Sequence, residues 1–264
     1  MKTLIGTPVH RAGAYALEKF LANQKQIQQN QPECYLALST DDTSYTGELK
    51  NLMKRWELRG QVISFRVNKP DYAKSRLWNI ASGRESIRQF FLSQPETDRL
   101  LFLDSDMTYD PSVVRIMEKE ISNHDAVFSG YKFRNNRIGL TGAGCFLLKR
   151  KALEKIVFRC YEFKNGQTIY EDNIAEMDLF GQGCRIKKGF FLSIDHYASP
   201  TEVKHIDPQR VGVYRKVMTS ALVRYCLIKT SVTVHYNIAS QGQRILWSCL
   251  SFFEKLRKTE NSHP

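Results

Sequence analysis

The sequence predicts an α/β protein whose mostly parallel sheet is covered by helices on both faces. Apolar, strand-like segments alternate with amphipathic, helix-like segments from residue 1 to about 125. Such alternation is typical of right-handed βαβ units. The segment Arg99–Leu103 is apolar without alternation, as expected for a strand buried on both faces. With 42% hydrophobic and 25% charged residues, the composition is that of an ordinary globular protein.

The first half of the chain is predicted to contain four strands and four helices. Pro8 ends the first strand, Gly60 is the predicted C-cap of the second helix, Asp71 caps the third, and Pro111 opens the fourth. In order, the predicted elements are a strand at 3–7, a helix at 11–29, a strand at 34–39, a helix at 45–59, a strand at 61–67, a helix at 72–93, a strand at 99–103 and a helix at 111–123.

The second half shows a mixed pattern and then a basic, amphipathic one. Strands are predicted at 126–133, 138–149 and 185–194, with short helices at 150–156 and 172–181. From about 207 onward the apolar spacing is helical. We therefore divide the chain into an α/β domain, 1–200, and a basic, amphipathic helical C-terminal extension, 201–264.

The formal net charge of +12 is concentrated in the predicted extension. Residues 201–264 carry ten Lys/Arg and four Asp/Glu, so 10 − 4 = +6 of the excess lies there. One interpretation is a solvated basic tail. The other is a patch that binds an anionic partner, such as a membrane surface or an acidic glycan. No DNA- or RNA-binding motif supports nucleic acid as the partner.

The cysteines and the chain start favour a cytoplasmic protein, and the basic extension allows peripheral binding to the membrane. The six cysteines form no C-x-x-C pair, so we expect reduced thiols rather than a zinc site. Met1 runs almost directly into a strand, which leaves no room for a signal peptide. No apolar run approaches the roughly 20 residues of a transmembrane helix.

Polar residues follow three of the predicted strands, where ligands bind in open α/β sheets. After the fourth strand comes Asp104-Ser105-Asp106. Two carboxylates one residue apart can hold Mg²⁺ or Mn²⁺ together with a diphosphate. The alternative is an acidic turn ahead of a helix. The other residues in such positions are Thr7, Pro8 and Arg11 after the first strand, and Asp41 and Asp42 after the second.

Several segments resemble, in the same order, those of glycosyltransferases with the GT-A fold, and in particular the family 2-like group. The GT-A fold is also called the nucleotide-diphospho-sugar transferase fold and has a Rossmann-like mixed sheet flanked by helices. The similarity covers roughly residues 1–200 and depends on order and spacing more than on any one motif. The matching runs are LLFLDSDMTYDP (100–111), AVFSGYKF (126–133), TGAGCFLLKRKALEKI (141–156), YEDNIAEMDLFGQGCRIK (170–187) and SIDHYASP (193–200).

The resemblance implies a metal-dependent glycosyltransferase that uses a nucleotide-sugar donor, with UDP-sugar favoured over GDP-sugar, and a glycan or glycolipid acceptor. Asp172 would be the general base of an inverting transfer, with Glu171 as the fallback. Asp104 and Asp106 would bind Mn²⁺ or Mg²⁺ together with His196, although His205 could replace that histidine.

The resemblance also assigns the substrate contacts. Gly142, Ala143 and Gly144 would form a floor for the sugar or acceptor, or else mark a bulge or close backbone packing. Asp42 could replace Asp41 or simply cap the next helix. Arg84 would face the donor, or be an exposed arginine. The implied donor-binding residues are Thr7, Pro8, Arg11, Asp41, Arg84, Asp104, Ser105 and Asp106.

The sequence departs from the family pattern in two places. The family often has Arg-Asn where this chain has Arg84-Glu85, and the first loop, TLIGTPVHR, lacks the usual Asn. The Q-x-x-R-W motif of processive synthases is missing, which favours transfer of one sugar per encounter. The alternatives are a nucleotidyltransferase, for which the first loop is a poor match, and a non-catalytic nucleotide-sugar or glycan-binding protein.

Overall fold

The computed structural model describes residues 2–131, 142–163, 168–211 and 226. The chain divides into two compact units, Met1–Ala221 and Leu222–Pro264. All described residues except Cys226 belong to the first unit. Most of the predicted C-terminal extension thus lies outside the described residues, and the boundary after residue 200 stays a prediction.

A seven-stranded sheet forms the centre of the first unit, as the α/β prediction requires. Its order is β10-β6-β7-β4-β1-β2-β3. The neighbours pair in parallel except at β7, which runs antiparallel to β4 and β6 in the part of the sheet that is described. The strands are β1 (Lys2–Pro8), β2 (Tyr35–Thr40), β3 (Gly60–Ser64), β4 (Thr97–Leu103), β6 (Ala126–Tyr131), β7 (Gly142–Lys149) and β10 (Ile186–Gly189).

Helices cover both faces of this sheet. Successive residues of a strand point to opposite sides, so a continuous apolar run places apolar side chains on both faces, and each face needs a layer of helices to bury them. Leu100 and Leu101 of β4, for example, belong to two different apolar clusters, and both are fully buried. One cluster contains residues of α1 (Ala14–Asn30), α2 (Thr43–Arg55) and α4 (Val113–Ile121). The other contains residues of α3 (Leu77–Leu92), α5 (Arg150–Leu153) and α6 (Glu171–Gly181).

A three-stranded sheet and a short hairpin complete the described fold. In the small sheet, β11 (Ile194–Ser199) pairs antiparallel with both β12 (Glu202–Ile206) and β5 (Met107–Tyr109). The hairpin joins β8 (Tyr161–Glu162) to β9 (Thr168–Ile169). The single strand predicted at 185–194 is wrong, because the chain leaves the large sheet after Gly189 and enters the small one at Ile194. Of the helical structure predicted from residue 207, the described residues contain the short 3-10 helix Pro208–Arg210 and the helical residue Cys226, and the rest lies outside them.

Three predicted helix ends are also wrong. Pro111 does not open α4, which begins at Val113 after the N-cap residue Ser112. Gly60 does not cap α2, which ends at Arg55, but begins β3. A Cβ at Gly60 would lie 2.2 Å from the Leu36 carbonyl oxygen, so glycine is required by the close approach of two strands. Helix α3 begins at Leu77 instead of Tyr72 and is not capped by Asp71.

Buried Glu162 explains the late start of α3. Its carboxylate accepts hydrogen bonds from the backbone N–H groups of Lys74 and Ser75, both at 2.9 Å, and from the indole N–H of Trp78 at 3.1 Å. These N–H groups are thus satisfied by a side chain outside the helix, and the preceding segment stays a loop. The same hydrogen bonds hold the pKa of Glu162 below its usual value.

The described cysteines agree with the expectation of unpaired thiols: Cys34, Cys145, Cys160 and Cys184 are free and buried. Burial raises the pKa of the Cys34 and Cys160 thiols to about 12, so neither has the character of a reactive thiolate. Among the residues that the structure describes, no helix is long and apolar enough to cross a membrane.

Candidate active site

The carboxyl ends of β1, β2 and β4 meet at one edge of the large sheet, and antiparallel β7 begins there. Leu103, the last residue of β4, pairs with Cys145 of β7. The Asp104 backbone N–H next to it donates to the Gly144 carbonyl at 3.1 Å. The turn at residues 104–106, where a metal is predicted to bind, is called the metal turn below. This edge therefore brings the metal turn beside the predicted glycine floor at residues 142–144, although the two segments are distant in sequence.

Arg84 of α3 joins the metal turn to the first residue of α6. Its Nη2 lies 2.9 Å from Asp104 Oδ1, and its Nη1 lies 2.6 Å from Glu171 Oε1. The Arg84 side chain is only 4% exposed, so the alternative of an exposed arginine is wrong. Because its guanidinium already binds two carboxylates of the protein, Arg84 is placed to position them.

Burial governs the protonation of both carboxylates that contact Arg84. Desolvation raises the pKa of Glu171 above its usual value, Arg84 opposes this rise, and Asp172 adds to it. Desolvation likewise raises the pKa of Asp104, again against Arg84 and with a further contribution from Asp106. Within the described part of the chain, Glu171 Oε2 and Arg84 Nε are buried and lack a hydrogen-bond partner.

The two acids at the start of α6 have different surroundings. Glu171 is buried in its contact with Arg84, whereas Asp172 is half-buried. Asp172 Oδ1 also accepts a hydrogen bond from the Asn173 backbone N–H at 2.7 Å. Both lie in the first helical turn, where negative charge is favoured by the helix dipole. Asp172 is therefore the more accessible carboxylate for an acceptor hydroxyl.

The small sheet places His196 beside the second aspartate of the metal turn. His196 of β11 pairs with Met107 of β5, and Tyr197 N–H donates to the Asp106 carbonyl at 2.8 Å. The His196 Nε2 atom lies 3.4 Å from Asp106 Oδ2. His205 instead contacts Asp195, with Nδ1 2.7 Å from Oδ1, and is 61% exposed. Of the two histidines, the geometry favours His196 as the partner of Asp106.

Tyr109, which the sequence analysis did not single out, lies beneath the metal turn. Its buried hydroxyl donates to the Gly144 carbonyl at 2.6 Å and accepts from the Asp104 N–H at 3.0 Å. Desolvation and the nearby Asp104 raise the pKa of Tyr109 well above its usual value, so the hydroxyl keeps its proton. Nothing in the local sequence marks this tyrosine, because its partners come from elsewhere in the chain.

The residues predicted after β1 are divided between core and surface. The Thr7 side chain is fully buried within β1, and Pro8 is half-buried. Arg11 lies at the surface, where it pairs with Asp42 and Glu48, both at 3.1 Å, and its guanidinium lies 4.4 Å from the centre of the Tyr45 ring. Thr7 is thus closed to a ligand, whereas Pro8 is partly exposed and Arg11 is exposed.

The two aspartates after β2 have separate roles. Asp42 caps α2 by accepting from the Tyr45 N–H at 3.0 Å. Hydrogen bonds from Ser44 and Arg11 lower its pKa to about 2. Asp41 accepts a hydrogen bond from Asn79 of α3 instead. Asn79 is a further residue at this edge that sequence reasoning missed.

The glycine-containing start of β7 lies at the site, and its immediate role is structural. The Gly144 carbonyl accepts from both Asp104 and Tyr109, and the strand register shifts between the pairs Ser129–Cys145 and Tyr131–Gly142. A register irregularity matches the alternative of a bulge. Gly142 and Ala143 lie in the same strand, and contact of the three residues with a sugar stays a prediction.

The chemistry of the metal turn fits a hard divalent cation. Asp104 contacts Arg84 through its Oδ1, and Asp106 lies beside a histidine. Within the described segments, no three His, Cys, Asp or Glu residues form a cluster that could hold a metal ion. A cation here would thus have few protein ligands, and phosphate or water oxygens would complete its coordination, as Mg²⁺ and Mn²⁺ prefer. Ser105, between the two aspartates, is half-buried.

Comparison with known proteins gives a fold and no family. No protein-family model matches the sequence, and no curated protein matches it. Among solved structures, A197 from STIV is 19% identical and aligns over 80% of this chain and 92% of its own, with a TM-score of 0.45. S. aureus TarS 1–349 is 14% identical over 91% of this chain and 75% of its own, with a TM-score of 0.50. The same TarS segment in complex with UDP-GlcNAc is 15% identical over 91% and 76%, with a TM-score of 0.48.

The alignment to S. aureus TarS 1–349 supports the predicted fold class. At 14% identity this likeness shows the fold and nothing finer. The chain has a GT-A-like mixed α/β fold, with a mostly parallel sheet between two layers of helices.

Proposed function

We propose that this protein is a glycosyltransferase of the family 2-like group that transfers a sugar from a nucleotide-sugar donor to a hydroxyl group, with inversion. The observation that carries the proposal is the convergence of Asp104, Asp106, Asp172 and His196 at the carboxyl edge of the sheet. This is the edge at which open α/β sheets bind their ligands. The acceptor is proposed to be a glycan or glycolipid.

The charges at this edge support a divalent cation as cofactor. A donor diphosphate is negative, and both arginines predicted to bind it already contact carboxylates: Arg11 contacts Asp42 and Glu48, and Arg84 contacts Asp104 and Glu171. Asp104 and Asp106 would be ligands of Mn²⁺ or Mg²⁺, with His196 beside Asp106, and diphosphate oxygens would complete the coordination. The cation would supply the positive charge that stabilises the leaving nucleoside diphosphate.

Asp172 is proposed as the general base. Its carboxylate would accept the proton of the acceptor hydroxyl while the oxygen bonds to the anomeric carbon of the sugar and the bond to the diphosphate breaks. Glu171 is less suited, because its side chain is buried against Arg84. The proposed donor is a UDP-sugar in preference to a GDP-sugar.

A thermal-shift and donor-hydrolysis panel tests the proposal. UDP-, GDP-, CDP- and dTDP-sugars are added with and without Mn²⁺ to the wild type and to Asp106→Ala. We expect one nucleotide class to raise the melting temperature only with metal, since a ligand that binds the native state stabilises it. Asp106→Ala should abolish this rise and the release of nucleoside diphosphate.

The matched control is Asp110→Ala, which removes an exposed carboxylate a few residues further along the chain. It should keep the metal-dependent rise in melting temperature. If no nucleotide sugar stabilises the wild type, the acidic turn is not a donor site and the proposal fails. Release of pyrophosphate instead of nucleoside diphosphate would favour a nucleotidyltransferase.

A further inference from the structure

Tyr109 joins three segments at the centre of the candidate site. Its hydroxyl donates to the Gly144 carbonyl of β7 at 2.6 Å and accepts from the Asp104 N–H of the metal turn at 3.0 Å. The Asp104 N–H also lies 3.1 Å from the Gly144 carbonyl oxygen. One buried hydroxyl thus completes a closed set of hydrogen bonds directly beneath the first predicted metal ligand.

The backbone of Tyr109 is fixed from the opposite side by Asn23 of α1. The Asn23 amide nitrogen donates to the Tyr109 carbonyl at 2.8 Å, and the Tyr109 N–H donates to the Asn23 amide oxygen at 2.9 Å. Asn23 is only 7% exposed. This side chain therefore satisfies both backbone groups of Tyr109, as a neighbouring strand would.

The strand that contains Tyr109 also lies beside the residues on the far side of the turn. Tyr109 pairs with Ile194 of β11, and Met107 pairs with His196. A shift of β5 would consequently change both Asp104, through the hydroxyl, and the contact between His196 and Asp106. The site has few protein ligands for a cation, so its affinity depends on the accuracy of this geometry.

We propose that Tyr109 is a positioning residue that holds the Asp104–Asp106 turn in the shape that binds a metal-bound donor diphosphate. This inference rests on the proposed glycosyltransferase function. Tyr109 touches neither donor nor acceptor. It acts by fixing the Asp104 backbone to β7, while Asn23 fixes Tyr109 to α1.

The decisive variant is Tyr109→Phe, which keeps the ring and removes the hydroxyl. Two measurements are made: amide hydrogen exchange of the segment containing Asp104 in the ligand-free protein, and the affinity for UDP with Mn²⁺. Faster exchange is expected at Asp104, because its N–H loses a partner. The affinity should fall by about tenfold, which corresponds to about 1.4 kcal/mol, because the turn loses a hydrogen bond that holds its shape.

Tyr45→Phe is the matched control. Tyr45 is a fully buried tyrosine on α2, and its hydroxyl has no hydrogen-bond partner within the described part of the chain. It should leave both the exchange at Asp104 and the affinity unchanged. Asn23→Ala should shift both readouts in the same direction as Tyr109→Phe, since it releases the same strand from α1.

The outcomes separate this inference from the function on which it rests. Unchanged exchange at Asp104 in Tyr109→Phe, or equal effects in Tyr45→Phe, would overturn the role of Tyr109. If the wild type itself fails to bind UDP with Mn²⁺ and the other nucleotides of the panel, the glycosyltransferase proposal is refuted. Faster exchange in Tyr109→Phe alone would then still establish that Tyr109 fixes the turn.

Discussion

Two buried ion pairs hold α6, and they differ in what lies beside them. Lys188 of β10 contacts Glu176 at 2.7 Å, and both side chains are 1% exposed. Arg84 of α3 contacts Glu171 at 2.6 Å, but the same guanidinium also contacts Asp104, which is 27% exposed. The first pair is sealed within the protein, while the second is connected to the candidate site. The same chemistry thus anchors a helix at one place and contacts a candidate binding residue, Asp104, at the other.

The difference separates stability from function along one helix. A buried ion pair costs desolvation energy, and the removal of one partner leaves an uncompensated charge. Loss of either basic side chain, Lys188 or Arg84, should therefore destabilise the fold. Only the loss of Arg84 should also weaken ligand binding, because Arg84, unlike Lys188, contacts Asp104 of the metal turn.

The largest effect is expected for Asp172, which lies between the two paired glutamates of α6. Asp172→Asn should lower the rate of sugar transfer by about a thousandfold, as expected when a general base is removed. The melting temperature and the metal-dependent donor affinity should change little, because asparagine keeps the shape of this half-buried side chain and both ion pairs keep their partners. Transfer assays and thermal shifts measure the two quantities. Full activity in this variant would exclude Asp172 as the base.

Next in size is the loss of Arg84. Arg84→Met should lower the free energy of unfolding by about 3–5 kcal/mol, since Glu171 and Asp104 would keep their burial without a cation. Urea denaturation measures this change. The variant should also lose the metal-dependent stabilisation by a nucleotide sugar.

Lys188→Met is the comparison for Arg84→Met. It should destabilise the protein by a similar amount, and a protein that still folds should keep the nucleotide-sugar shift in melting temperature. If the two variants lost the shift equally, the distinction between a sealed pair and a site pair would be wrong.

The smallest effect is expected for an exposed pair on the same helix. Arg159 contacts Asp178 of α6, with exposed fractions of 43% and 25%. Arg159→Ala should lower the free energy of unfolding by less than about 1 kcal/mol, because solvent screens such pairs. Donor affinity should stay at the wild-type level. If Arg159→Ala lowered the free energy of unfolding as much as Arg84→Met does, burial would not determine how much these ion pairs stabilise the protein.

Much of the fold could be predicted because its signals are local. The apolar runs at Leu36–Leu38 and Leu100–Leu103 reflect burial on both faces of a sheet, and the intervening helices follow from apolar spacing. The errors arose where a distant residue decided the local structure. Glu162 delays the start of α3, and the carbonyl of Leu36 requires a glycine at position 60.

The candidate site shows the same division. The acidic turn at Asp104–Asp106 and the acidic pair at the start of α6 could be predicted, because each is a short pattern beside a strand or helix end. The choice of His196 over His205 depended on strand pairing, which places His196 opposite Met107. Tyr109, Asn23 and Asn79 were missed, because each contacts partners far away in sequence.

The sequence by itself determined the class of fold, the edge of the sheet where chemistry is expected and the carboxylates available there. These follow from periodicity and from the kinds of side chain that end each strand. Only the tertiary structure decided that Arg84 is a buried bridge between Asp104 and Glu171, and that the Tyr109 hydroxyl is hydrogen-bonded to both the Asp104 N–H and the Gly144 carbonyl. The physical reason is that a charge or a hydroxyl acquires its role from the burial and the partners that distant segments provide.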